Sequence, residues 1–346
     1  MTQRYLILPL LATIILVASC SIEPQLHLRQ EKEVIVNVLW KAEVYPEGEK
    51  PTGVTLYFFR NGKFYMQHTT SEVDSCTVQL EPGNYRLMMI SQSPQEYWKM
   101  KFKNMTDFEN ASVSVDETKS SWYTRADEEV LINNPEVMAV GVSDEFMVSE
   151  DMFYNQGQAA TKADGDVLYY TIRVPINPKS IVSEYWVTIY SDNVDVLKSV
   201  RASTSGMART FELTQGMTGD EEGTQLITQW TLTIDDKAKR IGHLDGIVTT
   251  FGFPRGELPG PGRDSTLNVS TLLIDNETVE SYTFYVGDKI HLEEPPHEGF
   301  RYLYHVTFGS VFEPAIHPKD VKPDEGGGFA AQVSDWDEEE NIEIIF

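Results

Sequence analysis

The stretch Leu-Glu-Pro-Gly-Asn-Tyr-Arg-Leu at residues 80–87 says more about the fold than any other part of the chain. Pro82 fixes its own φ and Gly83 tolerates a positive φ, so the pair suits the two central positions of a type II turn. Successive side chains alternate across a strand, so Tyr85 and Leu87 share one face of the outgoing strand. The stretch therefore predicts a turn that leads into a half-buried β-strand.

Strand patterns precede this turn. Apolar residues alternate along 34–40, and a second apolar run covers 54–59. Asn61-Gly62 follows, which is the strongest short-range hairpin signal, and residues 63–66 form the returning strand. The sequence before the turn therefore predicts short strands, two of which form a hairpin.

The strand immediately before the turn contains Cys76, one of two cysteines in the chain. Cys76, Val78 and Leu80 share one strand face, which predicts a buried thiol that fills core space. A reactive nucleophile is the alternative, but no His or basic residue lies nearby in sequence to lower the thiol pKa.

Strand patterns also dominate the second half of the chain, and only 194–202 suggests a short helix. They lie at residues 167–174, 185–190, 226–234, 247–253, 266–274, 281–286, 300–308 and 342–346. Many short strands separated by turn signals predict an all-β protein built from β-sandwiches. The length of 346 residues favours two domains. The small, polar, Gly-bearing residues 155–166 are interpreted as a linker between domains at 31–154 and 167–346.

The N-terminus has the features of a secretory signal. Arg4 precedes a short apolar run, and Val-Ala-Ser leads to Cys20. The run is too short for a membrane-spanning helix, which needs about 20 apolar residues. Small residues before a cysteine resemble the lipobox of bacterial lipoproteins, so we expect residues 1–19 to be removed. Cys20 then carries acyl chains such as palmitate, and 20–30 form a tether. An ordinary secretory peptide with an incidental Cys20 is the alternative.

The mature chain is strongly acidic. Residues 1–19 contain one of the 28 Lys+Arg and none of the 53 Asp+Glu, which leaves 27 cations against 53 acids and a formal charge of −26. Such a surface repels nucleic acid and anionic lipid headgroups. Nucleic acid is therefore excluded as a partner, and the acids are interpreted as a solubilising surface.

No motif in the chain points to catalysis or metal binding. The sequence has no CxxC, no pair of histidines at helical spacing, and no Walker, GxGxxG or GxSxG element. Asp235-Asp236 and residues 192–195 lack the rest of an EF-hand loop, so we interpret them as solvated turns. We expect no cofactor, no metal and no enzymatic activity. A hydrolase with a carboxylate pair stays an alternative, because such a pair is recognised only by its spatial separation.

Two aromatic pairs stand in weakly patterned sequence, Tyr97-Trp98 and Trp122-Tyr123. If exposed, they would stack on sugar rings or anchor a protein partner. Aromatic side chains bury large areas, so packing in a core is the competing interpretation.

Three segments together resemble a known family. Residues 80–87 resemble the Leu-x-Pro-Gly-x-Tyr-x-Leu signature of transthyretin-like sandwiches. Residues 200–208 resemble a segment in the second domain of fimbrillin-associated anchor lipoproteins. The ending at 328–344 is similar to the C-terminus of fimbrillin-like proteins of Bacteroides-type bacteria. With the lipobox, the chain resembles a two-domain Bacteroides-type lipoprotein related to minor-fimbria anchor proteins.

The resemblance implies two tandem β-sandwich domains of transthyretin-like or immunoglobulin-like plan. It implies an outer-membrane, cell-surface lipoprotein that acts as a fimbrial anchor or adhesin-like component. Its partners would be fimbrillin-like subunits, which assemble by donating a strand, a form of β-augmentation. A glycan-binding lipoprotein beside a nutrient importer is the alternative. Asp264-Ser265-Thr266 also resembles an acceptor site for Bacteroides-type O-glycosylation, with Ser265 as the modified residue.

Overall fold

The structure is a computed structural model that describes residues 32–41, 44, 50–120, 129–149, 172–260, 265–294, 300–323 and 342–344. These ranges contain β-strands and short 3-10 turns without any α-helix. The all-β prediction is therefore confirmed. Among the same residues, we find no helix with the length and hydropathy needed to span a bilayer.

The strands of the described residues are numbered in chain order. Those before residue 150 are β1 (Lys32–Val38), β2 (Val54–Arg60), β3 (Lys63–Thr70), β4 (Ser75–Leu80), β5 (Gly83–Ser91), β6 (Met100–Lys103), β7 (Ser112–Val115), β8 (Leu131–Ile132), β9 (Ala139–Val142) and β10 (Phe146–Val148).

The strands after residue 171 are β11 (Ile172–Ile176), β12 (Lys179–Ser180), β13 (Ser183–Ser191), β14 (Leu197–Ala208), β15 (Thr210–Glu212), β16 (Met217–Thr218), β17 (Glu222–Ile227), β18 (Trp230–Asp236), β19 (Ile241–Thr250), β20 (Thr266–Leu273), β21 (Val279–Tyr285), β22 (Ile290–Glu293), β23 (Leu303–Phe308) and β24 (Ile342–Ile344).

Hydrogen bonds join these strands into sheets with the orders β11-β1-β4, β12-β9-β5-β2-β3, β22-β23-β13-β19-β18-β24, β21-β20-β14-β17-β8 and β16-β15-β7-β6, and β10 pairs with β5 beside the second order. The antiparallel pairs include the hairpin of β2 and β3. Asn61 and Gly62 connect that hairpin with φ of 50° and 77°. The hairpin prediction is therefore confirmed.

Strand pairing crosses the domain boundary that the sequence suggests. β11 lies after the predicted linker, yet it pairs parallel to β1, with Ile172 opposite Val34. Val174 and Ile176 of β11 are buried in the same core as β1. β11 therefore belongs with the first sheet, because its apolar side chains complete that core. Residues 155–166 lie outside the described residues.

Two hydrophobic cores flank β2 and β5. Leu56 and Phe58 of β2 lie in a first core with β1 and β4, whereas Tyr57 and Phe59 lie in a second core shared with β13, β14 and β18. The run 54–59 is therefore buried at every position because both faces of the strand are covered, and its one polar member, Thr55, donates its hydroxyl to the carbonyl oxygen of Gln92. On β5, Tyr85 and Leu87 are both buried in the first core, which confirms their common face.

The chain turns a corner at residues 81–82 instead of making the predicted type II turn. β4 and β5 belong to different sheets, and Gly83 has a φ of 159°, far from the value near +80° of a type II turn. A Cβ at Gly83 would lie 2.5 Å from Nε of Arg60. The Arg60 side chain packs against the backbone of Gly83, so a larger residue there would have to displace it.

Hydrogen bonds fasten this corner. The Tyr85 hydroxyl donates to the Glu81 carbonyl oxygen at 2.8 Å. Arg60 donates to Oε2 of Glu81 at 2.5 Å and also to the carbonyl oxygen of Pro82. The signature residues therefore connect two sheets and fix the angle between them.

Two other local predictions are wrong. The helix candidate 194–202 is a 3-10 turn at Val194–Val196 followed by β14. The single strand predicted at 226–234 is two strands in different sheets, β17 and β18. The break is fixed by Trp230, whose indole N–H donates to the carbonyl oxygen of Ile227 at 3.1 Å.

Cys76 is a buried thiol, as predicted. It is 2 % exposed and lies in the first core beside β1. Burial, with a smaller contribution from the charge of Glu72, raises the pKa of Cys76 to about 11. The thiol is therefore protonated at neutral pH and is a poor nucleophile.

Candidate functional site

The last described strand closes one edge of the six-stranded sheet. β24 lies antiparallel to β18, with Ile344 opposite Trp230, Glu343 opposite Thr231, and Ile342 opposite Leu232. We call the pair of strands β18 and β24 the terminal edge. β24 covers only three of the seven residues of β18. Within the described strands, the remaining part of β18 has β19 as its neighbour on one side only.

The terminal edge rests on a rigid support. Trp230 of β18 is 1 % exposed, and its ring packs against Gly246 of β19. A Cβ at Gly246 would lie 2.8 Å from that ring, so the glycine leaves room for the indole. Leu232 and Leu244 are buried in the same core. β18 is therefore fixed independently of what pairs with its outer side.

A charged group borders the free end of β18. Nδ1 of His243 lies 2.8 Å from Oδ2 of Asp235, and Nε2 lies 3.3 Å from Oδ2 of Asp245. The hydrogen bond to Asp245, then that to Asp235, raises the pKa of His243 to about 9 even though burial opposes the charge. His243 is therefore protonated at neutral pH; it joins β19 to β18 through Asp235, and its second carboxylate partner, Asp245, lies on its own strand.

Asp245 has a second donor. Burial raises the pKa of Asp245, but hydrogen bonds from His243 and from Thr188 outweigh it, so the pKa lies below its usual value. The Thr188 hydroxyl donates to Oδ1 of Asp245 at 2.6 Å. The carboxylate stays ionised beside the protonated imidazole.

We predict that this arrangement makes the protein less stable at alkaline pH than at neutral pH. The pKa of His243 is raised from 6.5 to about 9 in the folded state. The stabilisation is therefore complete below pH 6.5 and is lost as the pH rises through 9. We expect the free energy of unfolding to fall by about 3 kcal/mol between these limits. Urea titrations at pH 6 and pH 9.5 measure this difference.

His243→Gln should remove most of that difference, whereas His291→Gln, at an exposed position of β22, should preserve it. The same pH dependence in both variants would show that His243 is not its source.

The aromatic pair Tyr97-Trp98 does not form a common surface. Tyr97 is 7 % exposed, and its hydroxyl donates to the carbonyl oxygen of Ser91 at 2.7 Å. Trp98 is 87 % exposed. The two side chains therefore have opposite environments, and Tyr97 is a core residue. Trp122 and Tyr123 lie outside the described residues, as does Cys20.

Ser265 is 3 % exposed. Its hydroxyl donates to the carbonyl oxygen of Ser205 at 3.0 Å. A glycosyltransferase would have to reach this hydroxyl before the segment folds. O-glycosylation of Ser265 stays a prediction.

The acidic turns are held by ion pairs. Asp236 contacts Nζ of Lys239 at 3.0 Å, and Asp195 contacts Nε of Arg240 at 2.7 Å. Over the described ranges, no group of three or more His, Cys, Asp or Glu side chains is placed to hold a metal ion.

Sequence reasoning missed the terminal edge as a site. The strand pattern at 342–346 was the available signal, and β24 lies within it. Its partner β18 lies more than a hundred residues earlier, and no local pattern connects the two.

The fold and this edge define an all-β protein of several packed sheets, and the last of the described strands completes one of them. The family model described as domain of unknown function DUF5119 matches residues 21–228, more than half of the chain, and the protein belongs to that family. No curated protein matches the sequence.

Solved structures of proteins from Bacteroides and Porphyromonas species are similar. A proposed adhesin from Bacteroides ovatus aligns with a TM-score of 0.51 at 14% identity, over 74% of this chain and 83% of that chain. The fimbrial anchor protein Mfa2 from Porphyromonas gingivalis aligns with a TM-score of 0.44 at 12% identity, over 79% of this chain and 95% of that chain. The Bacteroides ovatus protein shares the fold of this chain. The predicted resemblance is thus confirmed for family and fold.

Proposed function

We propose that the protein is a non-enzymatic component of the cell envelope that anchors or assembles a fimbria by strand pairing with fimbrillin-like subunits. The observation that carries this proposal is the terminal edge, where a three-residue strand is paired to a seven-residue strand. An edge strand presents backbone N–H and C=O groups that pair readily with another chain.

The difference in length between β24 and β18 favours replacement of β24 by a strand from another subunit. A backbone hydrogen bond contributes about 0.5–1.5 kcal/mol net, so the short β24 is held by few such contributions. An incoming strand that paired with all seven residues of β18 would form more of them. A subunit strand would therefore compete with β24 for the same edge, and the rigid support of β18 would stay in place.

We further propose that acylated Cys20 holds the protein on the outer membrane at the cell surface. Several acyl chains give stable anchoring where one chain gives marginal binding. The length from Cys20 to β1 then provides a tether.

A disulfide between β18 and β24 tests strand exchange. Thr231 and Glu343 are register partners, and directly opposed residues of antiparallel strands lie within disulfide reach. We expect oxidised Thr231→Cys/Glu343→Cys to bind purified fimbrillin-like subunits at least tenfold more weakly than the same protein after reduction, about 1.4 kcal/mol. Subunit capture, measured with and without dithiothreitol, gives the ratio.

The matched control is Ser270→Cys/Ser281→Cys, which joins register partners of β20 and β21 away from this edge. Oxidation of the control should leave binding unchanged. Equal binding by the oxidised and reduced β18–β24 variant would place the partner elsewhere. No binding by the reduced or the wild-type protein would overturn the fimbrial role.

A further inference from the structure

A cleft of about 450 Å³ lies between β9 and β12 on one side and β15, the turn after it and the start of β23 on the other. Its volume is within the range of small-molecule sites, roughly 300–1,000 Å³. The polar side chains that line it are Asn177, Lys179, Ser180, Thr214, Gln215 and Arg301.

The cleft has a charge opposite to that of the protein. None of its lining residues is acidic, although the chain carries 53 Asp+Glu against 28 Lys+Arg. Two of its lining residues, Lys179 and Arg301, are cations. Neither belongs to an ion pair within the described residues. The cleft is therefore a local cationic site on an acidic surface, which favours an anionic ligand.

Arg301 is held in place before any ligand arrives. Its Nη2 donates to the carbonyl oxygen of Gly216 at 2.9 Å. Its guanidinium carbon lies 5.3 Å from the ring centre of Phe211 and 5.1 Å from that of Tyr302. These contacts and the hydrogen bond position the guanidinium and leave further N–H groups for a carboxylate, which guanidinium binds in a bidentate manner.

The rest of the cleft suits a hydroxylated ring. Asn177 and Gln215 add amide groups at exposed positions, and the Tyr302 side chain is 36 % exposed. Gln215 donates to the carbonyl oxygen of Glu109 at 3.2 Å, which orients its amide. Amides bind sugar hydroxyls through hydrogen bonds, and an exposed aromatic ring packs against the apolar face of a sugar.

We propose that this cleft binds an acidic saccharide, with the carboxylate of a hexuronate residue between Lys179 and Arg301. The amides of Asn177 and Gln215 contact its hydroxyls, and Tyr302 packs on the ring. The site is separate from the terminal edge and does not depend on strand exchange.

Calorimetric titration of the mature chain with trigalacturonate, and with galactotriose as the neutral counterpart, tests the site. We expect trigalacturonate to bind at least tenfold more tightly, and raised salt to weaken it. Lys179→Gln should weaken binding about tenfold, the usual size of one charge-assisted hydrogen bond. Lys63→Gln, at an exposed position of the β2–β3 hairpin, is the matched control and should bind as wild type.

Several results would overturn the proposal. Absence of binding, or equal binding of the neutral sugar, would remove the acidic saccharide as the ligand. Equal weakening by Lys179→Gln and Lys63→Gln would show non-specific attraction. Equal affinity for a tetraglutamate peptide would make the cleft a general anion site. Arg301→Lys adds a second readout, because it keeps the charge and should still lose affinity through the missing fork.

Discussion

Replacing Trp230 with alanine is expected to lower the free energy of unfolding by about 4 kcal/mol. Trp230 is among the largest fully buried side chains and lies in the second core. The change removes its packing against Gly246 and Ile227, and it removes the donor to the Ile227 carbonyl oxygen. Because Gly246 has no side chain to fill the space, the cavity should stay largely open. Urea titration followed by far-ultraviolet circular dichroism measures the loss.

Trp98→Ala is the matched control, since it makes the same chemical change at a side chain that is 87 % exposed. A surface substitution of this kind usually changes stability by less than about 0.5 kcal/mol. Similar losses for both variants would contradict the central role of Trp230. A large loss of stability for Trp230→Ala alone would support the conclusion that Trp230 holds β18 in place. The proposed strand exchange depends on that support.

The sequence predicts local features of this fold because their causes are local. Asn61-Gly62 makes a hairpin because two consecutive residues with positive φ match the twist of the flanking strands. Alternation along β4 buries Cys76, Val78 and Leu80 on one face. Such patterns follow from the two-residue period of a strand. They can therefore be predicted from the sequence without knowing which strands are its neighbours.

The sheet that each strand joins cannot be predicted from the sequence in this way. β11 joins β1 across more than 130 residues, and β17 and β18 separate into two sheets within one continuous strand pattern. Both outcomes follow from which core has room for the side chains. Alternation predicts that one face of a strand is buried, but it does not predict which core covers that face.

The candidate sites show the same limit. Tyr97 and Trp98 are adjacent in sequence, and their exposures of 7 % and 87 % are set by an irregular segment between a 3-10 turn and β6, whose path the sequence does not give. The cationic cleft draws its lining from four separate segments between residues 140 and 302. The sequence shows no excess of cations at any of these segments, because the cations meet only in the folded protein.

The signature at residues 80–87 leads to the second large effect, at Tyr85. This side chain is fully buried in the first core. Its ring lies 5.8 Å from that of Phe146 in a stacked arrangement and 5.6 Å from that of Tyr65 edge to face. Tyr85→Ala is expected to lower the free energy of unfolding by about 4 kcal/mol, because it empties the space between these rings. Tyr285→Ala, at a side chain that is 72 % exposed, is the control.

The hydroxyl of Tyr85 should have a separate and smaller effect. Burial raises the pKa of Tyr85 well above its usual value, so the group stays a donor to the Glu81 carbonyl oxygen. Tyr85→Phe keeps the ring and leaves that oxygen without this donor, which should cost about 1 kcal/mol. If Tyr85→Phe is as stable as wild type, the hydroxyl does not hold the corner. If it is as unstable as Tyr85→Ala, the hydrogen bond outweighs the packing. We expect the stability loss of Tyr85→Ala to be about four times that of Tyr85→Phe. This ratio would show that the ring of Tyr85 stabilises mainly the core, and that its hydroxyl stabilises the corner between the two sheets.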